Sequence, residues 1–263
     1  MTAVRSADSR LGVRELAPSP AFLAVAGLAA LGGWLAWSDH AYNYYGVFVF
    51  TLAGWLASVC VREWVRGVLA YRAGTPADAL GGPLTLNPFR YAHGFQTWVL
   101  PVAFAVLGGI GIASGPANVP AGSPEGRGRR AFVALSGPLT SVLLGLVLAL
   151  AAGRLAGDSV NIFWTALALL AYLQLSSAVI GLLPVPGLDG FGVVEPFLPR
   201  RLREFGAAAG PFGVIAVFAV LWFPPVSNAF FGLMLAGGQA VGLNAIYVDN
   251  GLDLFRFWNL ATS

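Results

Sequence analysis

Long apolar runs recur along this chain, at residues 21–37, 44–71, 131–152 and 162–183. A helix needs about 20 predominantly apolar residues to cross a bilayer, and each run reaches or approaches that length. Only 10% of the 263 residues are charged, against about 25% in a soluble globular domain. So little polar surface cannot cover a water-facing fold, and the bilayer is the solvent that makes this composition stable. The expected fold class is an all-α, polytopic integral membrane helical bundle.

Interfacial aromatics support the spans: Trp34 and Trp37 close the first run, and Tyr42, Tyr44 and Tyr45 open the second. Beyond Arg200, Arg201 and Arg203 the pattern predicts a hydrophobic hairpin with arms at about 207–223 and 226–248, joined at Pro224-Pro225. A shorter apolar stretch at 97–112 is interrupted by Pro101 and several glycines. If it crossed, Arg127, Arg129 and Arg130 would lie opposite the N-terminal Arg5, Arg10 and Arg14. If it re-enters, every arginine cluster shares one face, as the positive-inside rule requires. Re-entrant backbone is tolerated where protein shields it from lipid. The expectation is therefore about five to six transmembrane helices plus a re-entrant segment. Residues 1–20 form a polar cytoplasmic tail, 21–248 the membrane domain and 249–263 a short cytoplasmic tail. No small-residue cleavage site follows the first run, so it is expected to be a retained anchor.

Several classes are disfavoured. The net charge is only +3 and all 15 basic residues are arginine, with no basic, aromatic-interleaved patch for nucleic acid. One cysteine, Cys60, excludes an intramolecular disulfide and a Cys-rich metal site. No internal repeat stands out, which weakens the case for a transporter built from paired halves. Gly137, Ser141 and Gly145 recur at four-residue spacing, a pattern that lets helix backbones approach closely in lipid.

Ionisable residues at membrane depth mark function by default, because charge is costly there. They concentrate in two places. Arg62, Glu63 and Arg66 fall late in the second run; the arginines, four apart, share a helix face, and Glu63 is spaced to pair with Arg66. Asp189 closes the segment Leu182-Leu183-Pro184-Val185-Pro186-Gly187-Leu188-Asp189-Gly190 after the run at 162–183.

These residues, in this order, resemble the site-2 protease (peptidase M50) family of intramembrane zinc metalloproteases, in its compact bacterial branch. Gly82-Pro83-Leu84-Thr85-Leu86-Asn87-Pro88 is similar to its G-x-L-T-L-N-P segment. Ala134-Leu135-Ser136-Gly137-Pro138-Leu139 is similar to A-L-A-G-P-L, and Leu182–Gly190 to L-L-P-x-P-x-L-D-G. In active members H-E-x-x-H supplies two zinc-binding histidines and a glutamate base, and the aspartate of L-D-G is the third ligand. The resemblance places the base at Glu63 and the third ligand at Asp189. The histidine positions hold Arg62 and Arg66, giving a degenerate motif Arg62-Glu63-Trp64-Val65-Arg66.

A guanidinium has no acceptor and keeps its proton in proteins, so neither arginine can ligate zinc. Catalytic zinc needs three protein ligands, and Asp189 alone does not suffice. No cofactor is expected here, zinc belonging to the active relatives. The arginines are expected to replace the metal's charge, one pairing with Asp189 and the other with Glu63. The alternative for Arg66 is that it snorkels to the headgroups. A relocated metal site from His93, Asp189, Glu63 and Cys60 is a further reading, and His40 reads as solvated. Tyr91 stands where the family places a histidine, and Gly111 to Asn118 blurs the family's G-W-A-K-P-V-P-V-N loop, so Asn87, Pro88, His93 and Asn118 mark an altered cleft.

The resemblance implies a pseudoprotease of the bacterial plasma membrane, both termini cytoplasmic, that binds or regulates a client's transmembrane helix. A homo-oligomer and a hetero-oligomer are both open as its assembly. The alternatives are an active zinc protease with unusual ligands and a small anion-handling transporter.

Overall fold

The computed structural model describes residues 18–38, 43–76, 80, 84, 86–87, 126–157 and 161–260. The stretch 97–112, with Pro88, His93, Asn118 and His40, lies outside the described residues. Every regular element described is helical: α1 (Pro20–Trp37), α2 (Asn43–Arg72), α3 (Arg127–Leu155), α4 (Ile162–Gly181), α5 (Asp189–Val194), a 3-10 turn (Glu195–Phe197), α6 (Arg200–Leu221), α7 (Pro224–Ala240), α8 (Ala245–Phe255) and α9 (Phe257–Leu260). Four of them, α1 to α4, are long and apolar enough to cross a membrane, or five if the bent α6 counts as one span.

Helix α4 is the axis of the bundle: 78% of its most apolar window is buried, against 17% for α1. Asn161 caps its start, accepting from Phe163 N at 2.9 Å, while its side-chain amide donates to Trp37 O at 2.8 Å. That ties the end of α1 to the beginning of α4. Helices α1 and α2 form an antiparallel hairpin in which Gly46 lies against the Ala36 backbone. Helix α2 then runs parallel to α4. Gly54 faces Leu170, Ser58 accepts a bond from Gln174, and Arg62 reaches the level of Gly181. Helix α3 returns antiparallel, with Gly145 against Leu175.

The expected hairpin after Arg203 departs from a pair of straight arms. Helix α6 bends by 66° between Arg200–Gly210 and Phe212–Leu221. The break coincides with Gly210-Pro211 in the sequence, and proline removes a helix hydrogen bond and kinks the chain. The second arm stops at Ala240 rather than reaching 248. Gly242, at φ +89°, supplies the left-handed residue that ends a helix. Asn244 caps the new helix α8, accepting from Ile246 N at 2.9 Å.

Residues 245–255 and 257–260 are therefore helical. Val248, Gly251 and Phe255 are buried against the bundle, Phe255 stacks on Phe48 at 5.2 Å, and Phe257 meets Tyr45 edge-on at 4.9 Å. Those contacts place α9 beside the start of α2, at the end of the bundle where α1 finishes. Helix α1 begins at the other end, so this arrangement does not support a common face for the two termini.

Candidate functional site

The site is built where α2, α3, α4 and α5 meet. The loop after α4 delivers Asp189 to it through close backbone packing. Gly187, at φ +91°, packs against Gly210 of α6, and the Pro186 carbonyl lies on Gly213. Leu188, fully buried, packs with Ile180 and Val214. Gly190 rests against the carbonyls of Leu182 and Leu183, where a Cβ would collide with backbone. Asp189 is thus fixed as the first residue of α5 with its side chain 0% exposed.

Both arginines of α2 converge on that carboxylate. Arg62 Nη2 donates to Asp189 Oδ2, and Arg66 Nη2 donates to Oδ1 at 2.5 Å. Arg66 Nη1 also donates to both oxygens of Glu63, at 3.0 and 3.1 Å. The side chains of Arg62 and Arg66 are 2% and 1% exposed, and that of Glu63 is 10% exposed. Two cations and two anions cancel, which is what lets four charges sit inside an apolar bundle.

The structure adds to the expected pairing and decides against the alternative reading of Arg66. The expected pairs, Arg62 with Asp189 and Arg66 with Glu63, are both present, and Arg66 donates to Asp189 as well. Arg66 does not snorkel. Its position facing α3 and α5 turns it into the bundle, where Asp189 supplies a stronger acceptor than a distant headgroup.

Gly137 is the residue that sequence reasoning assigned to packing but not to the site. A Cβ at this position would overlap Arg66 Nη2 and come within 3.0 Å of Arg62 Nε. Its signal was the Gly137-Ser141-Gly145 spacing. Here one of those glycines admits Leu175 and the other admits two guanidinium groups. Gly137→Ala is accordingly expected to cost about 1–3 kcal/mol by overpacking. Thermal unfolding in detergent checks this, and an unchanged midpoint would show that the guanidinium groups can move aside freely.

The donor set does not fit zinc. Guanidinium nitrogens have no lone pair to give, and both occupy the Asp189 oxygens a metal would use. Among the described residues, no group of three or more His, Cys, Asp or Glu could hold a metal ion. Cys60 is buried in α2 but is not part of such a group, and His93 lies outside the described residues. Asn87 is half-buried. Its neighbour Leu86 accepts a bond from Ser19 Oγ at 3.1 Å, which ties this segment to the start of α1.

No family model matches the chain, and no solved structure matches it. Sequence relatives are clear. The chain is 37% identical over 258 residues to the "Putative zinc metalloprotease Rip2" of Mycobacterium tuberculosis, covering 96% of this chain and 99% of that protein. It is 36% identical to the protein of the same description from Mycolicibacterium smegmatis, over 94% of this chain and 96% of the relative. A third relative, "Putative zinc metalloprotease YwhC" of Bacillus subtilis, is 29% identical over 70% of this chain and 84% of its own length. This likeness spans the second helix, the Asp189 loop and the bundle that joins them, and by it the chain belongs to the site-2-protease-like family of these metalloproteases.

Proposed function

We propose that this protein is a non-catalytic member of its family, which receives the transmembrane helix of a client and holds or regulates it without cutting it. One observation carries the reading: guanidinium groups stand at both positions where a metal-binding imidazole would be needed, and together they occupy both oxygens of Asp189. Glu63, the retained base position, is engaged by Arg66 rather than facing a metal-bound water. What supports a retained binding role is that the bundle closes around a substitute for the metal instead of collapsing. The arginine clusters favour a bacterial plasma membrane with the start of α1 on the cytoplasmic side.

The test is the zinc content of the purified, detergent-solubilised protein, measured by elemental mass spectrometry without added metal. The expected value is near zero per chain. Near-stoichiometric zinc would overturn the reading and favour an active protease with unusual ligands, with loss of cleavage in Glu63→Gln as its signature.

A further inference from the structure

Helix α6 changes character at its bend. Its second segment, Phe212–Leu221, enters the bundle, with Val214 and Leu221 buried in one cluster with Ile180 and Leu188. Its first segment, Arg200–Gly210, turns away by 66° and stays at the end of the bundle where α2 finishes and α3 begins. Two glycines hold it there. Gly206 lies against the Phe191 ring, and Gly210 meets Gly187 in the loop that follows α4. At about 100° per residue, those two contacts fix the direction in which the other side chains of the segment point.

The remaining sides differ in chemistry. Leu202 and Phe205, 51% and 67% exposed, share one flank with Ala209. Arg200 and Glu204 share the opposite flank, joined by a 2.6 Å ion pair and both well exposed. Arg201, also exposed, points directly away from the protein, between the two flanks. Arg203 is half-buried on the protein side. A helix with one apolar flank, one charged flank and its back on a protein suits the plane of a bilayer surface, with the apolar flank sunk to the acyl boundary.

We propose that this segment docks the headgroups of anionic phospholipids, with Arg201 on the phosphate and Leu202 and Phe205 against the acyl chains. Charge complementarity selects this occupant. Arg72, Arg127 and Arg129 are exposed at the same end of the bundle, so the field there attracts anions. At the opposite end Arg154 and Arg256 stand with Asp249 and Asp253 among the described residues, and the charges offset. A guanidinium binds phosphate through two parallel N–H bonds. Arg200 is engaged by Glu204, which leaves Arg201 as the outward cation of the segment. A soluble phosphate would satisfy Arg201 equally but would give the apolar flank nothing to cover it.

The test compares a fluorescent phosphatidylglycerol with its phosphatidylcholine counterpart, each titrated into the full-length protein in mixed detergent micelles and followed by energy transfer from tryptophan. The expected result is a preference of about tenfold for phosphatidylglycerol at low salt, shrinking as salt rises. Arg201→Glu reverses the charge of an exposed side chain and is expected to abolish that preference with the gel-filtration profile unchanged. Arg129→Glu, on α3 at the same end, is expected to leave most of it. Equal binding of the two lipids by the unmodified protein would overturn the proposal. So would an equal loss in Arg201→Glu and Arg129→Glu, because the charge of this end would then act as a whole rather than at α6. Displacement of phosphatidylglycerol by glycerol 3-phosphate at matched ionic strength would also sink it, marking a site for free phosphate instead of lipid.

Discussion

Replacing both arginines together, as Arg62→His/Arg66→His, is expected to give a chain that binds about one zinc ion per molecule. The backbone requirement is already met. Residues 62 and 66 lie one turn apart on the buried face of α2, and both side chains reach the same carboxylate on α5. An imidazole is shorter than a guanidinium side chain by about the length of one metal–nitrogen bond, about 2 Å. A zinc ion on two imidazoles would then sit near the present Nη2 atoms, within reach of Asp189, giving three protein ligands and one open position. Each single variant should stay metal-poor, because two ligands remain and the surviving arginine repels the cation. Elemental analysis of the three variants after zinc loading and gel filtration is the measurement. Zinc bound equally by singles and double, or by none, would mean that the α2–α5 geometry is not that of a metal site.

The sequence showed most of the bundle and the two ends of the site because both are written in short-range patterns. Apolar runs mark α1 to α4 to within a few residues at each end, since span length is imposed by the bilayer. Arg62, Glu63, Arg66 and Asp189 stood out because charge in an apolar run demands an explanation. What was not legible depends on three-dimensional direction. Nothing local states that Asp189 has two free oxygens facing the same two arginines, or that Arg66 turns inward instead of toward the headgroups. The role of Gly137 was hidden for the same reason: a glycine that admits a helix and one that admits a guanidinium look alike in sequence. The break at 241–244 was also missed, although Gly242 and Asn244 carried its turn and cap chemistry. Their signal was outweighed by the unbroken apolar character around them.

Asp189→Ala should be the most damaging single substitution in the bundle, lowering stability by about 3–5 kcal/mol. Asp189 accepts from both arginines, and its side chain is fully buried. Removing it takes from Arg62 its ion-pair partner and leaves Arg66 paired with Glu63, so the bundle must bury an excess positive charge. Asp189→Asn should fall between the two, because its amide offers one acceptor oxygen but turns an NH2 donor toward a guanidinium. The decisive control is to remove the whole network, as Arg62→Met/Glu63→Leu/Arg66→Met/Asp189→Leu. Apolar replacement of a complete buried ion-pair group is often neutral or stabilising by about 1–4 kcal/mol, so the quadruple variant should melt at or above the parent. Unfolding by heat or by titration with a denaturing detergent ranks the four proteins. Parent-like melting of Asp189→Ala would show that the charges are not energetically coupled. A quadruple variant weaker than Asp189→Ala would show that the network stabilises the fold rather than merely being tolerated by it. The expected order, with the quadruple variant strongest and Asp189→Ala weakest, would mean the charges are held for a purpose other than stability, as binding residues are.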